Sequence, residues 1–270
     1  MTLYAISDLH LTQPANRQAV KAIQPHPDDW LILAGDVGEK EVHLRYALEI
    51  FTRNFQRVLW VPGNHDLWTL PNEPDGLRGV ARYQHLVEVC RQYGVLTPED
   101  PFPIWSDHGS SYRIAPLFTL YDYSFRPDDI PLEQALDWAA EKDIVCVDEY
   151  LLHPDPYPTR IDWCQARLAY TVQRLQAVPH DLPLILINHW PLRYDLVNIP
   201  RIPRFSLWCG SRQTEHWHLD YPVATVVYGH LHVRGTFFRD GVCFEEVSLG
   251  YPRNWDPDRP IEDYLRVIAP

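Results

Sequence analysis

Apolar residues recur along the chain as short runs rich in β-formers, each ending abruptly in a polar turn that holds Gly, Asp, Asn or His. Leu3-Tyr4-Ala5-Ile6-Ser7 runs into Asp8-Leu9-His10, and Trp30-Leu31-Ile32-Leu33-Ala34 into Gly35-Asp36. Val58-Leu59-Trp60-Val61 runs into Pro62-Gly63-Asn64-His65-Asp66. Buried strands that end in functional loops have this pattern. Within residues 40–55, Val42, Leu44, Ala47, Leu48, Ile50 and Phe51 repeat close to every 3.6 residues, so strand, helix, strand is the predicted order. The pattern returns where 182–187 leads into Asn188-His189 and 224–228 into Gly229-His230-Leu231-His232. A hairpin is predicted where 236–238 and 242–245 flank Arg239-Asp240-Gly241, because an Asp-Gly step favours the positive φ angles of a tight turn. Units of this βαβ kind build sheets whose sites lie at strand C-termini.

Residues 67–181 are less regular. Pro-rich stretches at 98–103 and 153–158 interrupt helical patterns at 84–93 and 163–178 and a strand-like alternation at 111–123. This region is expected to extend the core and to add a lid or substrate-specificity insertion. With no internal repeat and no shift in composition, residues 1–270 read as a single domain. A chain of 270 residues, 46% of them hydrophobic, buries enough apolar surface to fold without disulfides or a structural metal, so any metal would serve chemistry. Lys plus Arg number 24 against 36 Asp plus Glu; the net charge of −12 argues against a duplex nucleic-acid partner. The first residues lack a basic flank and no segment approaches membrane-spanning length, which predicts no membrane partner and a cytoplasmic location. Cys90, Cys146, Cys164, Cys209 and Cys243 are odd in number, far apart and form no Cys-x-x-Cys pair, so reduced thiols are expected.

Side by side, the predicted strand ends present Asp8, His10, Asp36, Asn64, His65, His189, His230 and His232 where side chains can leave a sheet and converge. Carboxylate, amide and imidazole ligands together suit manganese, iron or zinc, whereas calcium demands almost entirely oxygen. One ion with open positions takes three or four protein groups. So many candidates therefore imply two ions sharing a bridging carboxylate, an arrangement that serves hydrolysis.

The blocks Asp8-Leu9-His10, Gly35-Asp36, Gly63-Asn64-His65-Asp66, His189 and Gly229-His230-Leu231-His232 stand in the order of the calcineurin-like metallophosphoesterase superfamily, which the chain resembles. The resemblance implies an α/β sandwich of two mixed β-sheets flanked by helices, with a dinuclear metal site at strand C-terminal ends. It implies that Asp8, His10, Asp36 and His232 hold one divalent ion and Asp36, Asn64, His189 and His230 the other, with Asp36 bridging. One carboxylate has two oxygens and offsets the repulsion between two cations. Asn64 ligates without adding negative charge, which leaves the site electropositive towards phosphate. His65 resembles the histidine that protonates the leaving oxygen or stabilises the transition state, and Asp66 is a weaker candidate to orient it. The implied activity is hydrolysis of a phosphomonoester or phosphodiester of a small molecule or nucleotide by metal-hydroxide attack on phosphorus. Two alternatives stand beside it: hydrolysis of a non-phosphate bond at the same centre, and a noncatalytic metal-binding scaffold. The chain lacks the Asp-Arg pair that follows Gly-Asp in the protein serine/threonine phosphatases of the superfamily and has Asp66 where they carry Glu, which disfavours a phosphoprotein phosphatase. The motifs leave monoesterase against diesterase, native metals and oligomeric state undetermined.

His26, His43, His85, His108, His153 and His180 join no motif and read as surface or packed residues. His216 and His218 flank Trp217 and would share the face of an amphipathic strand edge. Trp68, Trp190, Trp208 and Trp217 lie near the blocks, and packing is their expected role. Arg193, Arg201, Arg204 and Arg212 could steer phosphate, but each is as well explained by the excess of acids around it.

Overall fold

The computed structural model describes residues 1–71, 76–107 and 109–268. Ten strands follow one another: β1 (Leu3–Ile6), β2 (His26–Leu33), β3 (Phe55–Trp60), β4 (Ile104–Asp107), β5 (Ser110–Pro116), β6 (Leu184–Ile187), β7 (Val223–Tyr228), β8 (Gly235–Arg239), β9 (Val242–Glu246) and β10 (Arg266–Val267). They form a four-stranded sheet, β10-β1-β2-β3, and a six-stranded sheet, β4-β5-β6-β7-β9-β8. In the first, β1, β2 and β3 are parallel and β10 is antiparallel. In the second, β5, β6, β7 and β9 are parallel, with β4 and β8 antiparallel at the edges. Both sheets are therefore mixed, as expected.

Alternation along each strand sets the layers. Leu3, Ala5, Trp30 and Ile32 of one sheet and Ile114, Ile185, Ile187 and Val227 of the other fill a single apolar layer between the sheets. Their neighbours Leu31, Leu33, Leu184 and Leu186 belong to a second, larger core that also takes in side chains from the helices. Strands covered on both faces carry near-continuous apolar runs, and full burial of one such side chain contributes roughly 1.5–3 kcal/mol. The helices are α1 (Pro14–Lys21), α2 (Glu41–Asn54), α3 (Asn64–Leu67), α4 (Gly79–Gln92), α5 (Ala135–Ala140), α6 (Asp148–Leu151), α7 (Arg160–Ala177) and α8 (Trp217–Asp220). Leu44, Ala47, Leu48 and Phe51 form the buried stripe of α2, and Trp163, Leu168 and Leu175 that of α7. The sheets meet at one seam, where Ser7, after β1, bridges Ser248, after β9.

Two local expectations are corrected. The alternation at 111–123 predicts one long strand, but β5 stops at Pro116, opposite the last residue of β6. Beyond Ile187 the neighbouring chain turns away, and the Asn188 side chain takes over by bonding the Thr119 amide, the Thr119 hydroxyl and the Trp190 carbonyl. His216 and His218 lie on no strand edge: residues 217–220 close a helical turn in which the Asp220 amide donates to the His216 carbonyl at 2.9 Å, leaving His216 exposed and His218 buried. All five cysteines are free thiols. Among the described residues no helix is long and apolar enough to cross a membrane.

Candidate metal centre

The loops after β1, β2, β3, β6 and β7 meet where the sheets join. Asp8, His10, Asp36, His230 and His232 all adopt positive φ, between 41° and 73°. Non-glycine side chains reach this region at a cost of order 1–3 kcal/mol each, and such positions persist only where surrounding bonds hold them. Here the Asp8 amide donates to the Gly35 carbonyl at 2.9 Å, the His10 amide to the Asp36 carbonyl at 3.0 Å, and the Gly250 amide to the Asp8 carbonyl at 3.0 Å. Close approach also dictates two glycines. A Cβ at Gly63 would lie 2.1 Å from Asp36 Oδ1, and one at Gly229 2.3 Å from Asp8 Oδ2.

Asp8 is completely buried, and its Oδ2 accepts from the Ser7 hydroxyl at 2.5 Å, the Ser248 hydroxyl at 2.8 Å and the His230 amide at 3.1 Å. Oδ1 is left facing His232 Nε2 at 3.0 Å, which is itself 3.1 Å from His10 Nε2. Asp36 Oδ1 accepts the His65 amide at 2.9 Å, while Oδ2 lies 3.5 Å from His189 Nε2 and 3.9 Å from His65 Nε2. His189 donates from Nδ1 to the Ala34 carbonyl at 2.9 Å, so Nε2 points at Asp36 and at His230 Nδ1, 3.3 Å away. Three sets of side chains could hold a metal: Asp8, His10 and His232; His10, Asp36 and His65; Asp8, Asp36 and His189. Asp8, His10 and Asp36 each belong to two of the sets. Asn64 and His230 line the same cleft, and Asn64 Oδ1, His230 Nε2 and His10 Nδ1 are buried without a hydrogen-bond partner. Buried lone pairs left empty beside two carboxylates fit a cation better than any protein donor nearby.

Electrostatics follow from burial and proximity. Burial, together with the neighbouring His65, holds the His10 imidazole down at about 3, and burial with His189 does the same to His230. Burial opposes charge on His189 too, but Asp36 outweighs it and pushes this ring up to about 10. Burial also works against the Asp8 and Asp36 carboxylates, yet His232 beside Asp8 and His189 beside Asp36 hold both well below the usual carboxylate range. The Asp8 and Asp36 anions and the neutral His10 and His230 rings are in the states that ligation requires, whereas His189 and His232, held towards the charged form by those carboxylates, would give up a proton to a cation.

His65 differs from the rest. Its Nδ1 lies 3.2 Å from Glu39 Oε1 and its ring rests against Trp68 with centroids 3.7 Å apart. Burial opposes the imidazolium, but Asp36 and Glu39 raise its pKa above the ordinary value. The role considered for Asp66 is corrected: its carboxylate accepts backbone amides of Asp36, Val37, Gly38 and Gly63 at 2.9–3.2 Å and ties the loop after β2 to that after β3. Adjacent side chains on the first turn of α3 point apart, so Asp66 does not reach the ring of His65. Glu39, three residues past Asp36, is the partner that sequence reading missed; a carboxylate at that offset after the Gly-Asp turn was the available signal. Tyr251, stacked on His10 at 4.3 Å, and Ser248 and Asp148 carry no signal of their own in the sequence.

The remaining candidates lie elsewhere. His26 faces Asp29, His43 Glu39, His85 Glu41, His153 Arg78 and His180 the Leu175 carbonyl. His108 lies outside the described residues. Trp190, Trp208 and Trp217 are core residues. Arg193 pairs with Asp195 and Asp240, Arg204 with Glu141 and Arg212 with Asp128, whereas Arg201 lines the cleft. That cleft, about 550 Å³, has the candidate ligands at its base; residues 198–205 form one wall and Leu231, Val233, Tyr251, Arg253 and Asn254 the other.

Known proteins share this arrangement. The family described as calcineurin-like phosphoesterase matches residues 1–234. The acyl-carrier-protein phosphodiesterase PptH of Mycobacterium tuberculosis (strain ATCC 25618 / H37Rv) is 46% identical over 271 residues, spanning 100% of this chain and 83% of its own length. The crystal structure of phosphopantetheinyl hydrolase (PptH) from Mycobacterium tuberculosis superposes with a TM-score of 0.94 at 46% identity, covering 100% of this chain and 96% of that one. The chain belongs to the calcineurin-like phosphoesterase family and is a metal-dependent phosphoester hydrolase.

Proposed function

We propose that this enzyme hydrolyses the phosphodiester that joins a phosphopantetheine arm to a carrier protein, using two divalent ions, manganese, iron or zinc. The reading rests on the name and the 46% identity of the Mycobacterium tuberculosis relative. The single observation that supports it here is the cleft: a metal-ligand floor opens directly between walls rich in apolar side chains, Ile199, Ile202, Phe205, Leu231 and Val233. An extended, uncharged arm with short apolar branches suits such walls. A nucleotide finds the Tyr251 ring but no pair of polar groups placed at the base of the cleft to read a base edge. The substrate is thus a small-molecule phosphoester carried on a protein partner, and the mouth of the cleft must stay open to admit it.

Asp8, His10, Asp36 and His232 would hold one ion, and Asp36, Asn64, His189 and His230 the other. When bound, the ions neutralise phosphoryl oxygens and lower the pKa of water. The chain does the rest. Ser7 and Ser248 pin one oxygen of Asp8 so that the other faces the ions, and the Ala34 carbonyl fixes the His189 tautomer. Glu39 holds a proton on His65 Nδ1, which leaves Nε2 to donate to the departing alkoxide.

The test is to incubate the manganese-loaded enzyme with holo carrier protein and follow the protein's mass and the released phosphopantetheine. Loss of the arm mass, absent with Asp36→Asn, is the expected result. An intact holo carrier protein alongside brisk hydrolysis of nucleotide diesters would reverse the substrate assignment.

A further inference from the structure

Asp148 opens α6, in the middle segment of the chain, and is fully buried. Its Oδ1 accepts two hydrogen bonds, from Asn64 Nδ2 at 2.9 Å and from the Trp68 indole N–H at 2.7 Å. On the other side of the same amide, Asn64 Oδ1 is buried without a partner. On the other side of the same indole lies the His65 ring.

We propose that Asp148 is a positioning residue for the centre, fixing which pole of the Asn64 amide meets the cation and holding the Trp68 plate against which His65 rests. The inference depends on the assignment of Asn64 as a metal ligand. A carboxamide is nearly symmetric in shape but opposite in function at its two ends, an acceptor oxygen and a donor NH2. Reversed, the amide of Asn64 would set its oxygen against the Asp148 carboxylate and its N–H groups towards the ions. Both contacts are repulsive, so a carboxylate behind Asn64 admits one orientation. Trp68 shares the same acceptor atom, so the neutral ligand and the bed of the proposed acid are set together. Asp148 cannot easily retreat. The next residue, Glu149, pairs with Arg160 and accepts from the Tyr123 hydroxyl and the Trp208 indole, both at 2.8 Å, which moors α6 to α7 and to the segment 203–208 in the cleft wall.

Four variants test this. Asp148→Ala removes the acceptor, Asp148→Leu removes it while filling the space, Asp148→Asn restores an acceptor oxygen, and Asn64→Ala removes the ligand itself. Each is loaded with Mn(II), and retention is measured by dialysis against a graded chelator, alongside kcat and KM on bis(4-nitrophenyl) phosphate. The Ala and Leu variants should hold one of the ions about 10–100-fold more weakly, with kcat lowered and KM changed by less than about twofold. Asp148→Asn should recover part of both losses. Mere loosening of the fold would instead lower Tm and weaken both ions, with no recovery on Asn, and would overturn the role. If Ala and Leu retain both ions as the parent enzyme does while Asn64→Ala loses one, Asp148 does not position Asn64, and Asn64 remains a ligand. If Asn64→Ala also retains both, Asn64 leaves the ligand set and the inference falls with it.

Discussion

The two sheets bring different chemistry to the seam they share. The rim of β1, β2 and β3 supplies Asp8, His10, Asp36, Asn64 and His65, and with them both carboxylates and the amide. The rim of β6 and β7 supplies His189, His230 and His232, imidazoles alone. Negative charge therefore comes from one side only, but orientation crosses over. Ser248 and the His230 amide, from the six-stranded side, hold Asp8, and the Ala34 carbonyl, from the four-stranded side, holds His189. Of the three candidate sets, His10, Asp36 and His65 lie on one rim, and the other two draw on both. Each rim positions the ligands of the other.

The sharpest way to break this asymmetry is to remove charge from the side that carries it. Asp36→Asn keeps the shape of the side chain but loses the anion between the candidate sets, so kcat should fall by about 10³-fold or more and metal content below that of the parent enzyme. Asn64→Ala, which removes no charge, should lose less of both. Elemental analysis with turnover on a diester ranks the two, and full metal content with intact turnover in Asp36→Asn would dismiss the bridging assignment.

His65 belongs to the anionic rim, and its proposed role is that of the acid, not of a ligand. His65→Ala should keep the metals and lose about 10²–10⁴-fold in rate on an alkyl ester, whose alkoxide needs a proton, and clearly less on the ester of an acidic phenol. Equal losses on both esters would mean that His65 stabilises phosphate charge instead of donating. Glu39→Gln should cost about tenfold on the alkyl ester and little on the phenol, because Gln can still accept from His65 Nδ1 but no longer favours the charged ring. Comparison of the two leaving groups in the same variant checks it.

Much of this was legible in advance, for a physical reason. Strands buried on both faces must be apolar throughout, so their ends are marked by the first polar residues, and in this fold the candidate ligands lie at that mark or one residue past it: Asp8 after Ile6 and Ser7, Asp36 after Leu33, Ala34 and Gly35, His189 after Ile187 and Asn188. What supports them was not legible. Positive φ at Asp8 or His230 leaves no trace where the residue is not glycine. Asp148 acts across a contact between residues 84 positions apart, and no local pattern encodes such a pairing. Residues 111–123 alternate like a strand, yet their course is set by where β6 ends. Glu246 lies one residue past the predicted hairpin strand 242–245, and nothing local marks it as entirely buried.

Glu246 offers the smallest and most specific test, because it is a carboxyl on the side of the seam that otherwise brings no negative charge. Burial, and then the negative charge of Asp8, raise it from an ordinary 4.5 to about 7. Ser248 lies between the two acids, its hydroxyl 2.5 Å from Glu246 Oε1 and 2.8 Å from Asp8 Oδ2. A hydroxyl has one proton to give. With Glu246 neutral, its O–H donates to Ser248 and Ser248 donates to Asp8; with Glu246 ionised, both acids compete for the Ser248 proton. The other groups facing Glu246 are His232 and Arg234, which favour its charge, and the Tyr228 phenol. A carboxyl whose folded pKa is raised lends stability that is fully present below 4.5 and lost as pH climbs through about 7. Glu246→Gln imitates the neutral acid, since its NH2 can donate to Ser248 while its oxygen accepts the Ser248 amide. The variant should therefore match the parent enzyme in Tm near pH 5 and exceed it by a few degrees at pH 8, with metal content and turnover nearly unchanged. A variant less stable than the parent at pH 8 would show that Glu246 works as an anion, and the six-stranded rim would then carry charge after all.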